Sequence, residues 1–208
     1  MKVDLNPFIE SLRAPTGAPG GGAASAVSAS LGCALYQMVA GVTLSLPRFT
    51  EGRGRLADIK AQATHLCDQF QVLSAKDTEA YLAVEAAMKM PRSTPEEKTA
   101  RRNAMQEAFR SATAVPLEVV EAVVAALSLL PDLLKYGNPN AITDVAVGTL
   151  LLEAARKGAS MNAEINLGSI KDQEFVKKSG DKLSAAAATA ESLLPALREA
   201  AKATGITY

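Results

Sequence analysis

Tryptophan is absent from this chain of 208 residues, and aromatics make up only 4 % of it. That removes the stacking platform on which single-stranded nucleic acid is held. Neither sign of charge is in excess: 22 Lys and Arg offset 22 Asp and Glu. The basic surface that phosphate neutralisation requires is therefore missing as well, and no nucleic-acid partner is expected. The single histidine, His65, lies off the helical seam described below and reads as exposed, which leaves no Ser-His-Asp or Cys-His set. Cys33 and Cys67 are too few for a disulfide framework and lack metal-ligand spacing, so a reducing compartment and no metal are expected. The N-terminal residues carry acids and an early proline without an apolar core, so no secretion signal and a cytoplasmic location are expected. Charge is also missing locally, since nothing between Arg13 and Arg48 is ionisable in the acid–base sense of Asp, Glu, Lys, Arg or His. Residues 22–46 are long enough to span a bilayer. However, Ser25, Ser28, Ser30, Gln37, Thr43 and Ser45 dilute their hydrophobicity, and no basic cluster flanks them. A buried central helix is the expectation, and a membrane role is not.

What is present is helix. Alanine dominates and no alternating strand pattern of useful length occurs. Residues 4–13 form a short amphipathic pattern with Leu5, Phe8, Ile9 and Leu12 on one face. Residues 22–46 make the uncharged helix. From about 51 to 90, Leu56, Ile59, Ala63, Leu66, Phe70, Leu73, Asp77, Tyr81, Val84 and Met88 recur every three or four positions as a seam facing other helices. Thr94, Pro95 and Glu97 spell a capping box with proline at the first helical position. The helix they open is expected to kink or divide at Pro116 and continue to about 130. Another begins near Thr143 and reaches Lys157, the helical pattern resumes through Asn162 and Asn166, and a last helix covers roughly 172–203. With no linker or repeat, the expectation is a single all-α domain over 1–208. It is a multihelical bundle of long antiparallel helices around the buried, uncharged, small-residue helix.

Several residues stand out against that frame. Gly20, Gly21 and Gly22 lead into a helix N-terminus, whose free N–H groups suit an anion or a carbonyl oxygen. Close helix packing explains the same glycines equally well. Asp77 interrupts an apolar seam, and Asp144 begins a stripe of Val147, Leu151, Ala154 and Gly158. A buried carboxylate titrates nearer neutrality, as acid–base chemistry requires. A satisfied buried acid, or for Asp144 a favourable place in a first helical turn, is the alternative. Asn162 and Asn166 share a helix face, and amides can read the edge of a heterocycle. Asn138 and Asn140 join them as candidates, or simply shape a turn around Pro139. Arg92, Lys98, Arg101 and Arg102 would suit a polyanionic tail, or are solvated surface.

Residues 14–43, APTGAPGGGAASAVSASLGCALYQMVAGVT, resemble the opening of the C-terminal family of formiminotransferase-cyclodeaminases. That family includes stand-alone methenyltetrahydrofolate cyclohydrolases of the serine-cycle type. Further blocks agree in order: DTEAY at 77–81 with PRSTPEEK at 91–98, VPL at 115–117, and GNPNAITD at 137–144. Asn162, INL at 165–167 and Lys171-Asp172 complete the set, which spans about 5–175. One block departs: where the family continues with paired lysines, this chain reads VTLSLPRF over 42–49, leaving Arg48, with Arg53 and Arg55 as candidate substitutes.

The resemblance implies an all-helical, dimeric folate enzyme with no metal or redox cofactor. One activity it implies is hydrolysis of 5,10-methenyltetrahydrofolate to 10-formyltetrahydrofolate. The alternative is closure of 5-formimidoyltetrahydrofolate with release of ammonia, working beside a separate formiminotransferase. A non-catalytic folate-binding scaffold is a third. Asp144 is the leading acid–base candidate and Asp77 the second, either being able instead to grip the pterin. Gly20, Gly21, Gly22, Tyr81, Asn138, Asn140, Asn162, Asn166, Arg92 and Lys98 are the expected binding residues.

Overall fold

The computed structural model describes residues 5–205 and is helical almost throughout. Seven α-helices follow in order: α1 (Asn6–Arg13), α2 (Gly21–Ser45), α3 (Arg53–Lys89), α4 (Pro95–Leu127), α5 (Leu130–Tyr136), α6 (Ile142–Leu167) and α7 (Gln173–Ala203). A single 3-10 turn, Pro139–Ala141, precedes α6. Position 4, expected in the first helix, lies outside the described residues. The expected all-α bundle is what forms.

α2 is the central element, packed between α3 and α6, with α4 closing the layer across α3 and α6. Small side chains make this possible. Gly22, Ala23, Ser25, Ala26, Ala29, Gly32, Cys33 and Ala40 are all buried on α2. At the crossing with α6, Gly32 and Gly148 face each other. A Cβ at Gly32 would stand 2.8 Å from the Gly148 carbonyl oxygen, and one at Gly148 would stand 3.1 Å from that of Gly32. Beyond the crossing the interface is polar but closed: the Tyr36 and Thr149 hydroxyls bond at 2.7 Å, and Thr149 also donates to the Val145 carbonyl. Burial pushes the Cys33 thiol up to about 12, with nearby Cys67 adding to the effect. Neutral at all ordinary pH, Cys33 is a packing residue.

By length and composition, α2 and the run Pro95–Tyr136 are apolar enough to cross a membrane. In the bundle both serve as core helices. On α2, however, Leu31, Met38 and Val42 are about two-fifths exposed.

The capping box forms as spelled. Thr94 Oγ1 accepts from the Glu97 N–H at 3.2 Å, and Glu97 Oε2 accepts from the Thr94 N–H at 3.1 Å. Asp172 likewise caps α7, accepting from the N–H groups of Glu174 and Phe175. Backbone bonding from Phe175, set against partial desolvation and helped by Arg110, holds its carboxyl below the usual range.

Two expectations about helix continuity are corrected. Pro116 does not divide α4, which runs unbroken from Pro95 to Leu127. The segments beginning near Thr143 and continuing through Asn166 form one helix. A third correction concerns faces. The stripe from Asp144 through Val147 and Ala154 points outward, with Val147 50 % exposed, while Val145, Gly148, Thr149, Leu152, Ala155, Ala159 and Ala163 make the core contact. Neighbouring turns of one helix carry two apolar stripes, and only packing against α2 and α4 decides which is buried.

Candidate active site

α2 is entered through Gly20, which provides no side-chain cap, and has no acidic residue in its first turn. Its first N–H groups must therefore find partners outside the helix. One is supplied by α3: the Asp77 carboxylate accepts from the Ala23 N–H. Gly22 makes the approach possible, because a Cβ there would collide with that carboxylate. The turn before it is equally tight. Gly17 has φ +77°, and a side chain on it would run into the Tyr81 hydroxyl. The glycine-rich entry to α2 thus lies directly on α3 at Asp77 and Tyr81.

These residues form one wall of a cleft of about 340 Å³. α3 contributes Asp77, Tyr81, Val84 and Met88, which are the C-terminal end of the predicted seam. Upstream of Asp77 the seam packs the core; downstream it lines the cleft. Across from it stand Phe109 and Ala112 of α4, and Asn162, Ile165 and Asn166 of α6. Both asparagine amides are anchored through nitrogen. Asn162 Nδ2 donates to the Gly158 carbonyl, and Asn166 Nδ2 to the Ala112 carbonyl, each at 2.8 Å.

Desolvation raises the Asp77 carboxyl above its ordinary value, and the bond from the Ala23 N–H offsets only part of this. A half-buried acid beside the positive end of a helix can hold a proton or release it at modest cost. The arrangement therefore offers N–H donors on one side, amide and carboxylate oxygens on the other, and apolar walls between. A flat, polar-edged heterocycle fits that distribution.

Beyond Met88 lies a second hollow, of about 320 Å³, lined by Arg92, Lys98, Arg101, Arg102, Met105, Gln106 and Lys171. It joins the cleft structurally. Arg101 donates to the Met88 carbonyl at 3.2 Å, and Gln106 bridges the Ser169 carbonyl and the Lys171 N–H. Five cations and no acid stand among the lining residues, a charge distribution that suits an anion.

The structure does not bring the other candidates here. Asn138 Oδ1 accepts from the Asn140 N–H at 3.1 Å, the plain turn geometry, and the Asn138 N–H donates to Thr43 near the far end of α2. Asp144 sits in the first turn of α6. α6 runs antiparallel to α2, with Asn162 beside Gly21 and Gly148 beside Gly32. At 1.5 Å per residue, Asp144 is therefore roughly 27 Å along the axis from Asn162. Within one chain the expected pocket uniting the glycine turn and Asn166 with Asn138 and Asn140 forms only in part, since Asn166 lines it and Asn138 and Asn140 do not, and Asp144 lies away from it as well. The atypical segment 44–49 is at the far end too. There Arg53 donates to the Leu44 and Phe49 carbonyls and Arg55 pairs with Asp132, so neither arginine faces the cleft. His65 is exposed, as expected. Gly17, Val84, Met88, Phe109, Ala112 and Ile165 were not named as cleft residues; Gly17 and Ile165 lay inside blocks of the resemblance and Val84 and Met88 in the seam, while Phe109 and Ala112 carried no signal.

Comparison with known proteins agrees over most of the chain. The family model described as formiminotransferase-cyclodeaminase matches residues 4–185. Methenyltetrahydrofolate cyclohydrolase of Methylorubrum extorquens is 31 % identical over 174 residues, covering 84 % of this chain and 84 % of that protein. Formimidoyltransferase-cyclodeaminase of Rattus norvegicus is 33 % identical over 191 residues, covering 88 % of this chain. The chain spans about a third of that longer relative, 34 % of its length. The crystal structure of formiminotetrahydrofolate cyclodeaminase from Thermotoga maritima superposes with a TM-score of 0.87 at 25 % identity, covering 99 % of this chain and 98 % of that one. With matching residues, fold and extent, this chain belongs to the formiminotransferase-cyclodeaminase family.

Proposed function

We propose that this protein is a folate one-carbon enzyme acting as a methenyltetrahydrofolate cyclohydrolase, with Asp77 as its acid–base group. The observation that carries the reading is the placement of Asp77. It is a carboxylate with a raised pKa, set against a glycine-only helix entry in the cleft of a family whose relatives are named for folate chemistry. In the hydrolytic direction, water adds to the carbon bridging N5 and N10, and Asp77 takes its proton. The resulting tetrahedral carbon carries a hydroxyl; as that hydroxyl gives its proton to solvent the C=O bond forms and the N5–C bond breaks. Asp77 returns the proton to N5, leaving the formyl group on N10. N–H groups at the start of α2 stabilise the oxygen that carries charge on the way. No electrons are gained or lost, so the reaction needs no redox cofactor. The cationic hollow beyond Met88 takes the ligand's glutamate carboxylates.

The cyclodeaminase reading is supported by the likeness to the Thermotoga maritima protein, which is named for that activity and is of similar extent. Here N10 attacks the formimidoyl carbon and the same acid protonates departing ammonia, with a separate formiminotransferase supplying the substrate. A spectrophotometric assay with each folate in turn decides. Loss of 5,10-methenyltetrahydrofolate in the presence of enzyme supports hydrolysis, and its appearance from 5-formimidoyltetrahydrofolate supports deamination. Binding without turnover of either leaves a folate-binding scaffold and overturns both. The reducing, cytoplasmic setting read from the sequence belongs to the same proposal.

The protein is also proposed to work as a homodimer. Leu31, Met38 and Val42 of α2 and Val147, Leu150, Met161 and Ile165 of α6 form an exposed apolar face, Ile165 at 76 % and Met161 at 66 % exposure. Faces of this kind mark interfaces more often than free surface. A two-fold axis across the middle of α6 pairs the face with itself and brings the partner's Asp144 level with Ile165. The same operation carries the partner's Asn138, Asn140 and Asp144 toward the cleft mouth at Met161 and Ile165. Sedimentation velocity at assay concentration tests it: a fully active monomer excludes the dimer.

A further inference from the structure

α4 passes through Pro116 without interruption. Proline has no amide N–H, so the carbonyl four residues earlier, that of Ala112, is left without its helical donor. In this protein the missing donor comes from another helix: Asn166 Nδ2 on α6 bonds the Ala112 oxygen at 2.8 Å. Ala112 and Asn166 both line the cleft, whereas Pro116 itself is buried and does not.

An asparagine amide can turn either its nitrogen or its oxygen toward a ligand, and the two ends differ little in shape. Fixing the nitrogen on α4 leaves Oδ1, on the other side of Cγ, as the free end. Asn162, one turn earlier, has its nitrogen fixed in the same way by the Gly158 carbonyl. The α6 side of the cleft thereby turns its amide oxygens, which accept, toward the ligand space.

We infer that Pro116 is a specificity-determining positioning residue. By leaving the Ala112 carbonyl free it locks the Asn166 amide with its oxygen available, and so selects ligands that present an N–H at that position. The ligand class is a heterocycle with ring or exocyclic N–H groups. The inference rests on the cleft being the ligand site proposed above. The valine–proline–leucine block at 115–117 acquires a role from this that helix packing alone does not give it.

Pro116→Val restores the N–H while roughly keeping the side-chain volume. The helix regains its own hydrogen bond, so the melting temperature should hold or rise. Affinity for 5-formyltetrahydrofolate, a stable probe read by calorimetry, should fall by about threefold to tenfold, the effect of one freed hydrogen bond. Turnover should show the loss in KM and much less in kcat. Asn166→Asp, which replaces the anchored donor with an acceptor, should weaken binding strongly in the natural chain and less when combined with Pro116→Val. Unchanged affinity in Pro116→Val, or a loss that merely tracks a lowered melting temperature, overturns the inference. If the natural protein binds no reduced folate, the functional reading fails separately. The lock is then read from the Asn166 side-chain amide in 15N NMR. Slow hydrogen exchange, lost in Pro116→Val, upholds it; fast exchange in the natural chain overturns it.

Discussion

The two ends of the α2–α6 pair are built from similar material and do different things. At one end a glycine turn, Asp77, Asn162 and Asn166 surround a cleft. At the other, Thr43, Asn138 and Asn140 bond one another and close the chain into a turn. The difference lies in what stands opposite. At the first end α3, α4 and α6 line an open cleft, whereas at the second Tyr136 packs against Gly52 and Arg53 bonds the Leu44 and Phe49 carbonyls. A constellation of polar residues becomes a site only where neighbouring elements fail to satisfy it.

Asp77→Asn should break that contrast most severely. It removes the proton carrier from the clefted end, and kcat should fall by about 10²–10⁴. Stability should move the other way. Because the folded-state pKa of Asp77 is raised, its ionisation costs stability once the pH exceeds the unfolded value. Asp77→Asn should therefore melt no lower than the natural chain at neutral pH, and the gain should vanish as acid protonates Asp77. Thermal melts against pH check the sign.

The second way to sharpen the comparison asks whether the far end joins the cleft across a two-fold axis. Asp144→Asn should be nearly inactive if the partner's Asp144 completes the site. Mixing it with Asp77→Asn under conditions that allow subunit exchange should restore roughly a quarter of the natural activity, since half the dimers then carry one intact site. No restoration from a mixture shown to exchange would confine each site to one chain.

Gly32→Val attacks the crossing that holds the two ends apart. The added side chain meets the Gly148 carbonyl and Leu152, and overpacking of this kind costs about 1–3 kcal/mol. For a chain of this size that is several degrees of melting temperature at roughly 2–4 °C per kcal/mol. The smallest effect belongs to the surface. Arg92→Ala with Lys98→Ala should raise KM for a polyglutamylated folate by about threefold in low salt and hardly change it for a monoglutamate, as expected for screened, exposed charges.

Much of the first end was legible in the chain. An acid in the seam at position 77, a triple glycine before an uncharged helix, and two asparagines four apart each carried a periodicity or a turn signal. Their convergence was not, because it depends on α2 and α6 running antiparallel. The same antiparallel packing separates Asp144, Asn138 and Asn140 from them. The stripe that Asp144 begins was also read as buried for a local reason. Two apolar stripes on α6 look alike in sequence, and this one proved to be the exposed one. Pro116 read as a break because a helix in isolation cannot replace the lost N–H. Asn166, fifty residues later, replaces it.

By itself, then, the sequence determined an all-helical chain, where most of its helices start and stop, and which helix is too small and too uncharged to lie anywhere but against others. Those properties follow from local spacing, capping and side-chain volume. The tertiary structure alone decided which candidate residues share a cleft, which end of each amide faces it, and which apolar stripe is left exposed. Each of these depends on the relative direction and separation of helices far apart in the chain, and no local pattern encodes them.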